Sequence, residues 1–146
     1  PRWSALHFAC HGLLDLRRPT LSSLALTPAG EDDGHLTALE ISALELPTDL
    51  VVLSACETGR GAVHASEGIV GLTRSFMLAG APRVLCSLWK VDDAATAALM
   101  RRFYELRAAG RGHAAALRGA QEHVRSTEAW RHPAYWAAWV LWGRPD

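Results

Sequence analysis

Cys56 and His11 are the two residues of this chain whose types and settings suit nucleophilic chemistry. His11 closes the apolar run Leu6-His7-Phe8-Ala9-Cys10-His11 and is followed by Gly12. Cys56 closes the run Leu50-Val51-Val52-Leu53-Ser54-Ala55-Cys56, which continues as Glu57-Thr58-Gly59. Strands of a parallel sheet often deliver reactive groups at their carboxyl ends, where loops shape a site. A thiol of pKa about 8.5 is mostly protonated at neutral pH and is a weak nucleophile in that form. A nearby imidazolium stabilises the thiolate and can then protonate a leaving amine. The pair therefore points to Cys56 as nucleophile and His11 as general acid and base. The Gly12 and Cys56 backbone N–H groups are natural donors to an oxyanion, because glycine lets a substrate carbonyl approach the backbone closely.

The neighbouring reactive residues have plainer roles. His7 and Cys10 share the first apolar run and are expected to pack. Alternate residues of a strand share a face, so Cys10 is expected to point away from His7 and His11, which argues against a metal site on that run. No second group at zinc-like spacing appears, and no metal or cofactor is expected. Cys86 lies inside the apolar run Val84-Leu85-Cys86-Ser87-Leu88-Trp89 and is expected in the core.

These groups need a scaffold, and 146 residues with 49% hydrophobic content suit one globular domain. Lys and Arg together equal Asp and Glu at 15 each. That balance gives no single-sign field for nucleic acid or an anionic membrane. Lys90 is the only lysine, a bias that suggests a GC-rich, bacterial coding sequence. The three cysteines lie in apolar runs, as expected of reduced thiols in the cytoplasm. No run approaches the roughly 20 apolar residues of a spanning helix, and no signal peptide is evident.

Strands are expected at 3–10, 50–55, 84–89 and 136–142, with a loop over 12–23 and a small hairpin pairing 24–27 with 35–37. Thr37 and Glu40 form a capping box that should start a short helix ending near 44. Ser66 can cap a helix over 67–79, with Ile69, Leu72, Phe76 and Leu78 near one face. Asp92 or Asp93 can cap a helix over 93–109, and a further helix should cover 113–126. Strands alternating with helices predict an α/β fold with a mostly parallel sheet covered on both faces.

Further segments complete a recognisable pattern. They are Glu67-Gly68-Ile69-Val70-Gly71-Leu72, Ala79-Gly80-Ala81-Pro82-Arg83-Val84 and Ser87-Leu88-Trp89-Lys90-Val91-Asp92-Asp93. Phe103-Tyr104, Ala116-Leu117 and His132-Pro133-Ala134-Tyr135-Trp136 follow. With the histidine and cysteine runs, they make the chain closely resemble the CHAT domain, a caspase-like domain often found after tetratricopeptide repeats. The resemblance implies the three-layer sandwich shared by caspases, separase and gingipains, and a His–Cys dyad falling on His11 and Cys56. It implies that residues 1–146 are one CHAT domain, the carboxyl-terminal part of a longer domain. One departure is Ser66, where the family usually has glycine.

The resemblance also places a specificity pocket along Ser87 to Asp93. Asp93, with Asp92 as runner-up, matches a position where separase-like enzymes carry an acid that receives a basic side chain; the plainer role is a helix N-cap. Trp89 can wall the pocket or simply pack. Glu57 and Glu67 flank the catalytic loop and can hydrogen-bond its backbone. The Trp136, Trp139 and Trp142 cluster is expected to pack in the core and at the sheet edge. The expected activity is a cysteine endopeptidase acting on a protein or peptide substrate, regulated by repeat or sensor domains of the same polypeptide. Bacterial defence or programmed cell death is the setting that the resemblance implies. Its rivals are a catalytically silent caspase-like interaction module and a cysteine hydrolase or transferase acting on other acyl groups.

Overall fold

The computed structural model describes residues 4–15, 17–54 and 62–144, with the backbone alone described over 62–68. A four-stranded sheet runs through its centre in the order β1 (Ala5–Phe8), β5 (Leu50–Leu53), β6 (Arg83–Ser87) and β7 (Trp139–Gly143). β1, β5 and β6 are parallel; β7 returns antiparallel to β6. Every residue of β5 is buried, which explains a strand that reads as an unbroken apolar run.

Alternation along the strands divides the core in two. Leu50 and Val52 of β5 and Leu85 of β6 pack with α3 (Asp93–Ala108) and α4 (His113–Ser126) through Leu99, Phe103, Ala116 and Val124. Val51, Leu53, Val84 and Cys86 pack on the other face with α1 (Ala38–Ala43) and α2 (Ala62–Leu78) through Ile41, Leu72 and Phe76. The result is the helix–sheet–helix sandwich expected from the sequence.

A second sheet, antiparallel and three-stranded, joins β2 (His11–Leu13), β3 (Ser23–Ala25) and β4 (His35–Thr37). Leu24 is completely buried and anchors this sheet to the core on the α1–α2 side. The hairpin and capping box expected from the sequence are both present. Glu40 Oε2 accepts from Thr37 N–H at 2.8 Å, and Thr37 Oγ1 accepts from Glu40 N–H at 3.2 Å. The Thr37 hydroxyl, which donates to Glu40 Oε2 at 2.7 Å, and next the Thr37 N–H hold the Glu40 carboxyl below the usual carboxylate range.

Four local expectations are corrected. Among the described residues the run at 3–10 pairs in the large sheet over Ala5–Phe8, and the residues read as loop from 12 include part of β2. An apolar run shows burial but not where the chain changes sheets. α2 begins at Ala62, so Ser66 lies inside it and is not its cap; Ala62 to Ala65 contain neither Gly nor Pro to delay the helix. Leu78 is 70% exposed, because it sits about 200° around the helix from Phe76 at 100° per residue. The last strand starts at Trp139, since Trp136 and Ala137 N–H groups both bond Pro133 O and continue a turn instead. Trp139 is buried, whereas Trp142 is exposed at the sheet margin.

β7 ends at Gly143, whose φ is +105° and where a Cβ would collide with Pro82 O. Gly143→Ala is therefore expected to destabilise the domain by about 2 kcal/mol or more. Urea unfolding would show this as a lower midpoint at unchanged slope; an unchanged midpoint would contradict the close approach.

Candidate active site

The open end of the sheet is organised by the pairing of β1 with β5. Phe8 lies opposite Leu53, and Ser54 N–H extends the ladder by donating to Phe8 O at 2.9 Å. His11 is three residues beyond Phe8, and Cys56 is three residues beyond Leu53. Adjacent strands lie about 4.8 Å apart. Cys56 and Glu57 themselves lie outside the described residues.

After Phe8 the chain leaves the large sheet through Ala9 and Cys10 and enters the small one at His11. His11 is thus the first residue of β2, paired with Ala25, and is not the last residue of β1. It is exposed and opens onto a groove of about 270 Å³ that is lined, among the described residues, by Ala9, Cys10, His11, Ser54 and Asp93. Cys10 shares that groove with His11, contrary to the strand alternation expected of it, because the strand ends before Cys10. Partial burial pushes the Cys10 thiol pKa up, so it stays protonated at neutral pH.

The small sheet also orients Gly12. Leu26 N–H donates to Gly34 O and Ala38 N–H to Ser22 O, both at 2.7 Å. Even-numbered residues along β3 therefore turn their backbone groups toward β4. Antiparallel ladders alternate bonded and non-bonded pairs, so Ser23 and Ala25 face β2 and bond Leu13 and His11. Gly12, opposite Leu24, is the non-bonded position. Its N–H points to the outer edge of β2, away from the ladder. Gly12 is buried and lines a small apolar cavity of about 10 Å³ with Leu53 and Ser87, the last residues of β5 and β6.

The two aspartates separate cleanly. Asp92 is the N-cap of α3, its Oδ1 accepting from Ala95 N–H at 3.0 Å. That leaves Asp93, at the first helical position, exposed on the same groove as His11. Trp89 is 40% exposed and donates from Nε1 to Ala134 O at 3.1 Å. The bond fixes the segment after β6 to the turn at Pro133–Tyr135. Cys86 is buried in the core as expected, and burial raises its thiol pKa.

One link was not foreseen from sequence. His7 Nδ1 is 3.1 Å from Tyr104 Oη on α3. Ninety-seven residues separate them, and only the tertiary fold brings them together. The bond lies at the surface, and His7 remains exposed beside it; partial desolvation on the side facing α3 lowers the His7 pKa and raises that of Tyr104. Among the described residues, no cluster of three or more His, Cys, Asp or Glu could hold a metal, and no helix is long and apolar enough to cross a membrane.

Comparison with known proteins matches the CHAT domain model over residues 1–144. The chain belongs to the CHAT domain family. Two curated relatives are Tetratricopeptide repeat protein 28 of Homo sapiens and of Mus musculus. Each is 41% identical over 108 residues, covering 74% of this chain and 4% of the relative. This CHAT domain therefore corresponds to a small part of very long proteins whose name describes repeats.

Two predictions follow from the site's supports. Replacing the cap by Asp92→Ala should cost roughly 1 kcal/mol of stability, and Asp93→Ala much less, in paired urea unfolding curves. His7 has a folded pKa below its ordinary 6.5. The unfolded chain therefore takes up that proton first on acidification. The stability contributed by neutral His7 is complete above 6.5 and is lost as pH falls through the lower folded value. Between about pH 7.5 and about pH 5, the wild type should lose more stability than His7→Gln; equal losses would show that His7 is not protected in the fold.

Proposed function

We propose that this CHAT domain is a cysteine endopeptidase. The observation that carries the reading is the Phe8–Leu53 pairing, which brings the chain segments leading to His11 and Cys56 out of the sheet side by side. In this reading the Cys56 thiolate attacks a peptide carbonyl carbon, and the carbonyl oxygen becomes an oxyanion. The Gly12 and Cys56 amides stabilise it; the outward Gly12 N–H supports that role, since no ladder bond competes for it. Collapse of the intermediate breaks the C–N bond, and protonated His11 gives its proton to the leaving amine. Neutral His11 then takes a proton from water, which attacks the thioester and releases the acid and the thiol. No metal or cofactor enters these steps.

Asp93 is the proposed recognition acid, receiving a basic side chain of the substrate. Its exposure on the groove supports this, because the capping duty has fallen to Asp92. Trp89 is not among the described residues that line the groove, so its proposed part is to brace the segment leading to Asp93 through its bond to Ala134 O, and Glu57 is proposed to support the loop after Cys56. Tetratricopeptide repeats, as named in the relatives, are the proposed regulators within a longer polypeptide, of which residues 1–146 would supply the carboxyl-terminal part of the catalytic domain. Reduced thiols in apolar surroundings fit a cytoplasmic setting.

The test is covalent labelling of the full parent chain by a peptidyl acyloxymethyl ketone carrying arginine, read by intact mass. A single adduct on Cys56, absent in Cys56→Ala and slowed about a hundredfold or more in His11→Ala, is expected. Labelling as fast in His11→Ala as in the wild type would remove the dyad and leave an interaction module. Asp93→Asn should cut the preference for arginine over leucine probes by roughly tenfold to a hundredfold, the worth of a charged hydrogen bond. An unchanged preference would place the recognition acid elsewhere.

A further inference from the structure

The groove has two walls on two different elements. His11 follows β1, and Asp93 begins α3. β1 is the outermost strand of the large sheet, only four residues long, and among the described residues β5 is its one strand neighbour. It faces α3 with Ala5 and His7, because alternate residues share a face. Ala5 offers a small apolar contact to the core. His7 is the last side chain on that face before the chain turns out toward His11.

Tyr104 meets it there. The hydroxyl lies 3.1 Å from His7 Nδ1, and the rings are 5.9 Å apart at 36°. Both groups are neutral at neutral pH, given the directions in which burial moves them. With Tyr104 as the donor, Nδ1 accepts and the His7 proton sits on Nε2; with the other tautomer, Nδ1–H donates to the phenol oxygen. Tyr104 is itself braced edge-on by Phe103, 5.4 Å away and completely buried. Eleven residues earlier on the same helix is Asp93, about 16 Å along the axis at 1.5 Å per residue. α3 is fixed over that length by its Asp92 cap and by buried Ala95, Leu99 and Phe103.

We infer that the Tyr104–His7 hydrogen bond is a positioning contact that ties the histidine strand to the helix carrying Asp93 and so holds His11 at its working place across the groove. Tyr104 and His7 touch no reacting atom; they act through β1. The inference rests on the proposed dyad.

The experiment measures alkylation of Cys56 by the arginyl probe in the full parent chain, separated into a limiting rate and a half-saturating concentration. Tyr104→Phe keeps the ring and removes the hydrogen bond. Its limiting rate should fall about tenfold, as expected when a reacting group is displaced by a fraction of an ångström. Half-saturation should change less than about twofold, since Asp93 and the pocket stay in place. His7→Gln, whose side-chain oxygen can still accept from Tyr104, should recover part of the rate that His7→Leu loses. Adding Tyr104→Phe to His7→Leu should cause no further loss. A wild-type limiting rate in Tyr104→Phe, with His11→Ala slow, would overturn the positioning contact and leave the dyad standing. Equal rates in wild type and His11→Ala would overturn the dyad and the inference together. Should Tyr104→Phe fold poorly, the Gln and Leu pair at His7 decides: equal rates in the two would also overturn it.

Discussion

The parallel pairing of β1 with β5 sets the geometry at the open end of the sheet. Among the described residues its last bond is Ser54 N–H to Phe8 O, beyond which the β1 chain leaves for the small sheet. β5 is held on both faces by packed helices, and β1 is held chiefly through β5. The groove with His11, Ser54 and Asp93 therefore takes its shape from a buried strand with little freedom to shift. The capped start of α3 completes it by presenting Asp93.

Much of this architecture was legible in the sequence because periodicity reports burial. The runs at Leu50 and Val84 are apolar on both faces, as central strands must be. Thr37 with Glu40, and Gly80 and Gly110 with positive φ, marked helix boundaries through chemistry that acts over a few residues. The expectations that failed have separate causes. Residues 3–10 and 12–23 looked like a strand and a loop because an apolar pattern carries no record of which sheet a residue joins. Leu78 looked like core because it is apolar and close to Phe76 in sequence, although a two-residue step turns it about 200° around the helix. Trp136 looked like strand because aromatic residues suit both strands and packed turns.

The site was legible to a smaller extent. His11 and Gly12 were singled out by type and position and Asp93 by the family resemblance, and the fold puts His11 and Asp93 on one groove. The choice between Asp92 and Asp93 as cap was open in the sequence, since either can bond an N–H three residues on or nearby. Only the Asp92 bond to Ala95 decides it. The direction of the Gly12 amide depends on hydrogen-bond parity in a hairpin, and the His7–Tyr104 contact on two segments distant in sequence. Neither leaves a local trace.

Two residues, Ala9 and Cys10, join the large sheet to the small one. His11 is hydrogen-bonded into the small sheet, while the strand that leads to Cys56 belongs to the large one. Gly12, Ser23 and Leu24 of the small sheet are buried, while the tip of its β3–β4 hairpin is exposed. The groove is thus assembled from two sheets: His11 takes its place from the small one and Ser54 from the large one, and a two-residue joint sets how they meet.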